Sequence, residues 1–130
     1  MPGYRLIYPV IFLLYTSLNL QAQPMVATAN QAPKREFRGV WIATVGNIDW
    51  PSTSHLSTDK QKKELIDLLE FDRQIGINAV MFQVRPAADA FYMKGQEPWS
   101  KWLTGKQGMP PDPVYDPLEL AINEAHKRGI

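Results

Sequence analysis

Three acidic residues of this chain follow apolar stretches of sequence and lie among aromatic residues. Asp49 lies in one such segment, and Asp89 and Glu97 lie in a second, longer one. Hydrolysis of a glycosidic bond commonly uses two carboxyl groups on opposite sides of the scissile bond. Each of these acids is individually more typical of a structural or binding residue, so the sequence alone assigns no catalytic residue.

Tryptophans accompany these acids. Trp50, Trp99 and Trp102 lie in the same segments, and their flat faces suit the C–H bonds of a sugar ring. We interpret Trp50 as a ligand contact. Trp99 and Trp102 either contact a ligand or fix their own segment to the rest of the protein. Trp41 lies inside an apolar stretch, where core packing is the favoured interpretation.

Gln83 and Arg85 end the second apolar stretch. Pro86 restricts the backbone of Arg85 and directs the chain outward. The guanidinium could then donate two hydrogen bonds to a carboxylate of a substrate or of a neighbouring catalytic acid. The alternative is a structural ion pair with Asp89 or Asp49.

Other classes of site have little support. The two histidines, His55 and His126, are isolated and the chain has no cysteine, so neither a metal site nor a cofactor is predicted. Residues 105–108 are rich in glycine but lack the spacing of a phosphate-binding loop. Basic and acidic residues become equal in number once residues 1–22 are set aside, so we expect no nucleic-acid partner.

Two apolar stretches, residues 37–45 and 78–84, are predicted to be strands buried on both faces, as parallel strands usually are. A helix between them is predicted to begin near Thr58, with Gln61 completing a capping box, and to end at Gly76. Its apolar stripe consists of Leu65, Leu68, Leu69 and Ile75. The order predicts a βαβ unit with parallel strands.

A second helix has clear signals at both ends. Asp116 is a predicted N-cap, Pro117 suits the first position, Glu119 could close a capping box, and Gly129 ends the helix. The segment 85–115 that precedes it is longer than an ordinary connection, which is typical of functional loops. Parallel α/β proteins bind ligands at the carboxyl ends of their strands.

The chain begins with the pattern of a secretory signal peptide at residues 1–22, with a basic start, an apolar run and small residues near Ala22. The alternative is an uncleaved membrane anchor. Residues 23–34 are predicted to be a flexible linker, and residues 35–130 to be folded. We therefore expect a secreted or periplasmic protein with no stable membrane anchor after cleavage.

Several blocks of sequence, in the same order, resemble the glycosyl-hydrolase-like 10 family of bacterial secreted proteins. They are residues 35–45, 47–51, 76–80, 82–86, 89–92, 97–105 and 115–129. The resemblance implies a TIM-type (β/α)8 barrel that acts on a polysaccharide or oligosaccharide, of which this chain would carry the first two β/α units as an incomplete N-terminal portion. Later strands would supply the catalytic acids.

The resemblance also implies a set of substrate-binding residues at the strand ends. They are Trp41, Asp49, Trp50, Gln83, Arg85, Asp89 and Tyr92, to which the aromatic pattern adds Trp99. Two other functions compete with a glycosidase. One is a carbohydrate-binding module without catalysis, and the other is a truncated product that is inactive alone.

Overall fold

The computed structural model describes residues 36–130. The predicted signal peptide at 1–22 and the predicted linker at 23–34 lie outside the described residues. The elements, in order, are β1 (Gly39–Ile42), a 3₁₀ turn (Val45–Asn47), α1 (Thr58–Gln74), β2 (Ala79–Phe82), α2 (Lys101–Thr104) and α3 (Pro117–Lys127).

β1 and β2 form a parallel pair in which Gly39 lies opposite Ala79 and Ile42 lies opposite Phe82. The predicted α/β class and the parallel βαβ order are confirmed. Each strand has four residues, which is shorter than predicted. A 3₁₀ turn follows β1, and in it Gly46 adopts a φ of 64° that disfavours residues with a Cβ.

The core lies on the face of the sheet that the helices cover. Its buried members are Ile42, Trp50, Leu65, Leu69, Phe91, Leu103 and Ala121. Alternate strand residues point to opposite faces, so Trp41 lies on the other face and is 57% exposed. Trp41 is therefore not packed in the core formed by residues 36–130, contrary to the favoured interpretation of its sequence position. Ile75, predicted to join the apolar stripe, is also exposed.

The predicted capping box of α1 is wrong, although the helix does begin at Thr58. Ser57 is the N-cap, and its side chain makes no capping hydrogen bond. The Thr58 hydroxyl donates instead to the carbonyl of Pro113 at 3.0 Å, and the Gln61 amide donates to two loop carbonyls. Both side chains are buried by the long loop, so tertiary contacts replace the local cap.

The cap of α3 is confirmed. One oxygen of Asp116 accepts a hydrogen bond from the backbone N–H of Glu119 at 3.1 Å, and Pro117 follows it in the first turn. The other oxygen accepts from the backbone N–H of Met93 at 3.0 Å. Asp116 thus connects the long loop to the start of α3. Glu119 contributes its backbone N–H to the cap, and no described hydrogen bond involves its carboxylate.

We expect Asp116→Ala to lower the free energy of unfolding by about 1–2 kcal/mol, because it removes the helix cap and the acceptor for Met93. Asp116→Asn keeps one side-chain oxygen and is the matched control, with an expected loss of less than about 1 kcal/mol. Urea denaturation of the full chain measures both. Equal stability of the alanine variant and the parent protein would show that this cap is energetically unimportant.

Candidate functional site

The carboxyl ends of β1 and β2 are held together by Gln83. Its side-chain oxygen accepts hydrogen bonds from the backbone N–H groups of Thr44 and Val45, both at 2.9 Å. The Thr44 hydroxyl donates to the Gln83 carbonyl at 2.7 Å and is fully buried. Gln83 was predicted to contact substrate. Its side-chain oxygen is instead engaged in hydrogen bonds that hold the two strand ends side by side.

Asp49 closes the turn that follows β1. One of its carboxylate oxygens accepts from the backbone N–H of Ala43 at 2.7 Å, and its own N–H donates to the Ala43 carbonyl at 3.0 Å. Asp49 is exposed. Asp49 therefore stabilises the turn at the strand end, and its side chain is accessible to solvent.

A cluster of Arg85, Tyr92 and Glu97 lies beyond the end of β2. An Arg85 guanidinium nitrogen is 2.5 Å from one carboxylate oxygen of Glu97, and the Tyr92 hydroxyl donates to the other oxygen at 3.1 Å. We name these three residues the Arg85 cluster. The ion pair of Arg85 is made with Glu97 and not with the predicted alternatives, Asp89 and Asp49.

The cluster is accessible from solvent. The side chain of Arg85 is 53% exposed and that of Glu97 is 24% exposed. Gly95 makes room for it, because a Cβ there would lie 2.5 Å from both the Tyr92 ring and a Glu97 carboxylate oxygen. The arrangement therefore presents a cation, a phenol and a carboxylate on one partly open surface.

The surroundings of Glu97 favour its ionised form. A hydrogen bond from its own backbone N–H, the Tyr92 hydroxyl and the Arg85 charge together hold the pKa of Glu97 below its usual range. Desolvation, with a smaller contribution from the Glu97 hydrogen bond, raises the pKa of Tyr92. At neutral pH the cluster therefore offers a carboxylate acceptor beside a protonated phenol, a combination that can accept from and donate to hydroxyl groups.

We expect Tyr92→Phe and Arg85→Ala each to raise the pKa of Glu97 towards that of an ordinary glutamate, because each removes a group that favours the anion. Carboxyl NMR titration measures this, with Lys106→Ala, outside the cluster, as the control. Since the pKa is lowered on folding, the cluster stabilises the fold above the ordinary glutamate pKa, and this contribution is lost as the pH falls through the lowered value. An unmoved midpoint in both variants would contradict the assignment.

Trp50 is a core residue. It is 1% exposed, and its ring packs against Phe82 and Phe91 with centroid distances of 5.5 and 5.9 Å. Its indole N–H donates to the Gln61 carbonyl at 2.9 Å. Because no ring face is open, the interpretation of Trp50 as a ligand contact is corrected to core packing.

The remaining predicted site residues are dispersed. Asp89 is 1% exposed, and its carboxylate accepts from the Ala87 N–H at 3.1 Å, which fixes a turn. Trp99 is half-buried against the core, and its backbone pairs with Ala90. Trp41 lies on the open face of the sheet. The structure thus brings Arg85 and Tyr92 together and leaves the other predicted contacts apart.

Glu97 is the functional candidate that the predicted binding set left out. It was recognised only as one of three loop acids, because its partner Arg85 is twelve residues away in a loop whose path the sequence does not reveal. The sequence contains one weak signal of this cluster. Gly95 lies between Tyr92 and Glu97, and its lack of a side chain allows the aromatic and the acidic side chains to meet.

Residues 36–130 offer neither a metal site nor a membrane span. Within that range no group of three or more histidine, cysteine, aspartate or glutamate residues is arranged to hold a metal ion. None of the helices in the same range has the length and apolar character needed to cross a membrane.

Comparisons with known proteins match most of the chain. The model of the family described as glycosyl hydrolase-like 10 matches residues 36–130. The chain is 53% identical over 102 residues to the glycosyl hydrolase YngK of Bacillus subtilis. The aligned residues cover 78% of this chain and 20% of that protein. It is 40% identical over 111 residues to the glycosyl hydrolase DigH of Escherichia coli. Here the aligned residues cover 80% of this chain and 25% of that protein.

The chain therefore spans about a fifth to a quarter of the length of these relatives. The resemblance seen in the separate sequence blocks is confirmed, since the family match runs through all the described elements. The protein is a member of the glycosyl hydrolase-like 10 family of glycoside-hydrolase-like proteins.

Proposed function

We propose that this protein is an exported glycoside-hydrolase-like protein that acts on a polysaccharide, with cell-wall glycan as the favoured substrate. The observation that carries the proposal is the Arg85 cluster, which places an ionised carboxylate, a guanidinium and a phenol at the carboxyl end of β2. Parallel α/β proteins use this end of the strands for binding and catalysis. The relatives named above are glycosyl hydrolases, which supports a sugar ligand.

The cluster suits a sugar because the Glu97 side chain is 24% exposed and a carboxylate oxygen can accept more than one hydrogen bond. A sugar hydroxyl donates to Glu97, while the half-exposed Arg85 donates to a second oxygen of the same ring. The lowered pKa of Glu97 fits an acceptor and disfavours a general acid. We therefore propose Glu97 and Arg85 as substrate-binding residues and leave the catalytic acids to other parts of the protein.

We also propose that β1 and β2 are the first strands of a (β/α)8 barrel. The outer edge of β2 and α3 border a groove of about 420 Å³, whose apolar lining includes Val80, Phe82, Ala121 and Ala125. A third parallel strand fits there, since it would pair with β2 and cover this apolar surface. The exposed Trp41 and Met81 on the opposite sheet face would then point into the barrel interior.

Export is proposed from the leader pattern at residues 1–22, which lie outside the described structure. Intact mass measurement of the protein recovered from the producing cells tests it. A chain that begins at Gln23 supports cleavage after Ala22 and a secreted or periplasmic location. A chain that retains residues 1–22 in the membrane fraction would support the anchored alternative.

A carbohydrate-binding protein without hydrolysis is the second candidate. It is favoured by the presence of a single carboxylate in the Arg85 cluster, since Asp49 and Asp89 are engaged in turns elsewhere in residues 36–130. Glycosidases usually place two carboxyl groups about the scissile bond. Release of reducing ends from glycan separates the two functions, because only the hydrolase produces them.

The test uses the full chain, purified peptidoglycan glycan, and two measurements, namely sedimentation binding and reducing-end release. Glu97→Gln removes the negative charge and is expected to weaken binding about tenfold, the effect of one hydrogen bond to a charged group. Glu119→Gln, an exposed glutamate on α3, is the matched control and should bind normally. Unchanged binding by the Glu97 variant, or no binding by the folded parent protein, would contradict the proposal.

A further inference from the structure

A groove of about 580 Å³ lies between residues 54–58 and residues 109–114. We name it the loop groove. The first segment connects β1 to α1 and the second leads into α3, so both lie in connections that follow the carboxyl ends of strands. No member of the Arg85 cluster lines the loop groove, which makes it a separate feature of this end of the fold.

The walls of the loop groove are fixed by hydrogen bonds, two of them partly buried. Thr58 donates to the carbonyl of Pro113 at 3.0 Å, and Thr104 donates to the carbonyl of Met109 at 2.9 Å. The Gln61 amide donates to the carbonyl of Leu56 at 3.0 Å. Since the bond from Thr58 to Pro113 joins the two walls across 55 positions of sequence, the groove is formed before a ligand arrives. A preformed groove lowers the entropic cost of binding.

The lining combines apolar surface with unused polar groups. Leu56, Met109, Pro110, Pro111 and Val114 supply the apolar part. Ser54, His55 and Asp112 also line the groove, and no hydrogen bond described for residues 36–130 engages their side-chain polar atoms. His55 lies against Gly105, where a Cβ would come within 3.2 Å of the imidazole. The glycine therefore leaves room for the imidazole ring.

This chemistry selects the kind of ligand. The carboxylate of Asp112 disfavours an anion, and the lining contains no lysine or arginine to bind a phosphate. The volume lies in the range of pockets that hold small ligands. A neutral acetamido sugar fits both parts of the lining, since its methyl group and C–H faces can pack on Leu56 and Met109 while its hydroxyl and amide groups reach His55 and Asp112.

We propose that the loop groove is a second saccharide-binding subsite, which holds neutral N-acetylhexosamine units of a chain whose other units lie at the Arg85 cluster. This inference rests on the proposed function. Its consequence is a dependence on chain length, because a long oligosaccharide reaches both sites and a disaccharide occupies one. Linked sites raise affinity by making the second contact intramolecular.

The experiment measures binding of the full chain to β-1,4-linked N-acetylglucosamine dimer and hexamer by titration calorimetry. The double variant His55→Ala/Asp112→Ala is expected to weaken hexamer binding five- to tenfold and to leave dimer binding within twofold. Both residues are exposed, so the variant should keep the fold. Gln107→Ala, on the same loop but outside the groove, is the control and should bind both oligomers normally.

A second measurement needs no variant. The imidazole Cε1–H resonance of His55 should shift when the hexamer is added to the parent protein. Loss of hexamer affinity in Glu97→Gln, with none in the groove variant and no shift at His55, would overturn the subsite and leave the proposed function intact. Absence of hexamer binding to the folded parent protein would overturn both. Equal weakening of dimer and hexamer by the groove variant would also reject a separate second subsite.

Discussion

Trp50→Ala is expected to lower the free energy of unfolding by about 3–5 kcal/mol, as truncation of a fully buried large aromatic residue usually does. The indole is 1% exposed and packs between Phe82 of the sheet and Phe91 of the long loop. Its loss would leave a cavity at the point where the sheet, α1 and the loop meet. It would also leave the Gln61 carbonyl without the indole donor.

Trp50→Phe is the matched control for that experiment. The smaller ring keeps most of the packing and loses the N–H that donates to Gln61, so we expect a loss of about 1–2 kcal/mol. Urea denaturation of the full chain compares the variants. Glycan binding by the folded phenylalanine variant should equal that of the parent, because a buried ring does not contact ligand. A stable alanine variant that has lost glycan binding would instead restore the ligand interpretation of Trp50.

The regular elements were predictable because their signals are local. Two apolar stretches with a helix between them predicted the parallel pair of β1 and β2, and Asp116 with Pro117 predicted the start of α3. The helical spacing of Leu65 and Leu69 predicted which face of α1 is buried. Each of these features depends on residues a few positions apart, and hydrophobic period and cap chemistry describe such residues well.

The candidate site was less predictable because it depends on the path of a long loop. Arg85 is joined to Glu97 within that loop, whereas the sequence had suggested Asp49 or Asp89 as the partner in an ion pair. Trp50 looked accessible because it follows a strand end. The fold of the loop places Phe91 over it and closes the binding face there. Side-chain roles set by contacts between distant segments cannot be assigned from local spacing.

Gln61 shows how one buried polar residue organises that loop. It is 2% exposed, and its amide nitrogen donates to the carbonyls of Leu56 at 3.0 Å and Leu103 at 2.9 Å. Its side-chain oxygen accepts from the Tyr115 hydroxyl at 2.9 Å. Burial raises the pKa of Tyr115, so the phenol remains a donor at any physiological pH. Three separate segments of the chain thus converge on one amide.

We expect Gln61→Leu to lower the free energy of unfolding by about 3–5 kcal/mol. The Tyr115 hydroxyl and the carbonyls of Leu56 and Leu103 lose their partner, at about 1–3 kcal/mol each, and relaxation of the surrounding chain offsets part of this cost. Tyr115→Phe removes only the donor to Gln61 and should cost about 1–2 kcal/mol. Urea denaturation of the full chain measures the single variants and the double variant.

The double variant makes the prediction specific. Once Gln61 is leucine, the phenylalanine at 115 removes an unpartnered hydroxyl, so the combined loss should be smaller than the sum of the single losses by about 1 kcal/mol or more. Additive losses would show that the two side chains do not interact energetically. A coupled result would show that the buried hydrogen bond from the Tyr115 hydroxyl to Gln61 stabilises the fold.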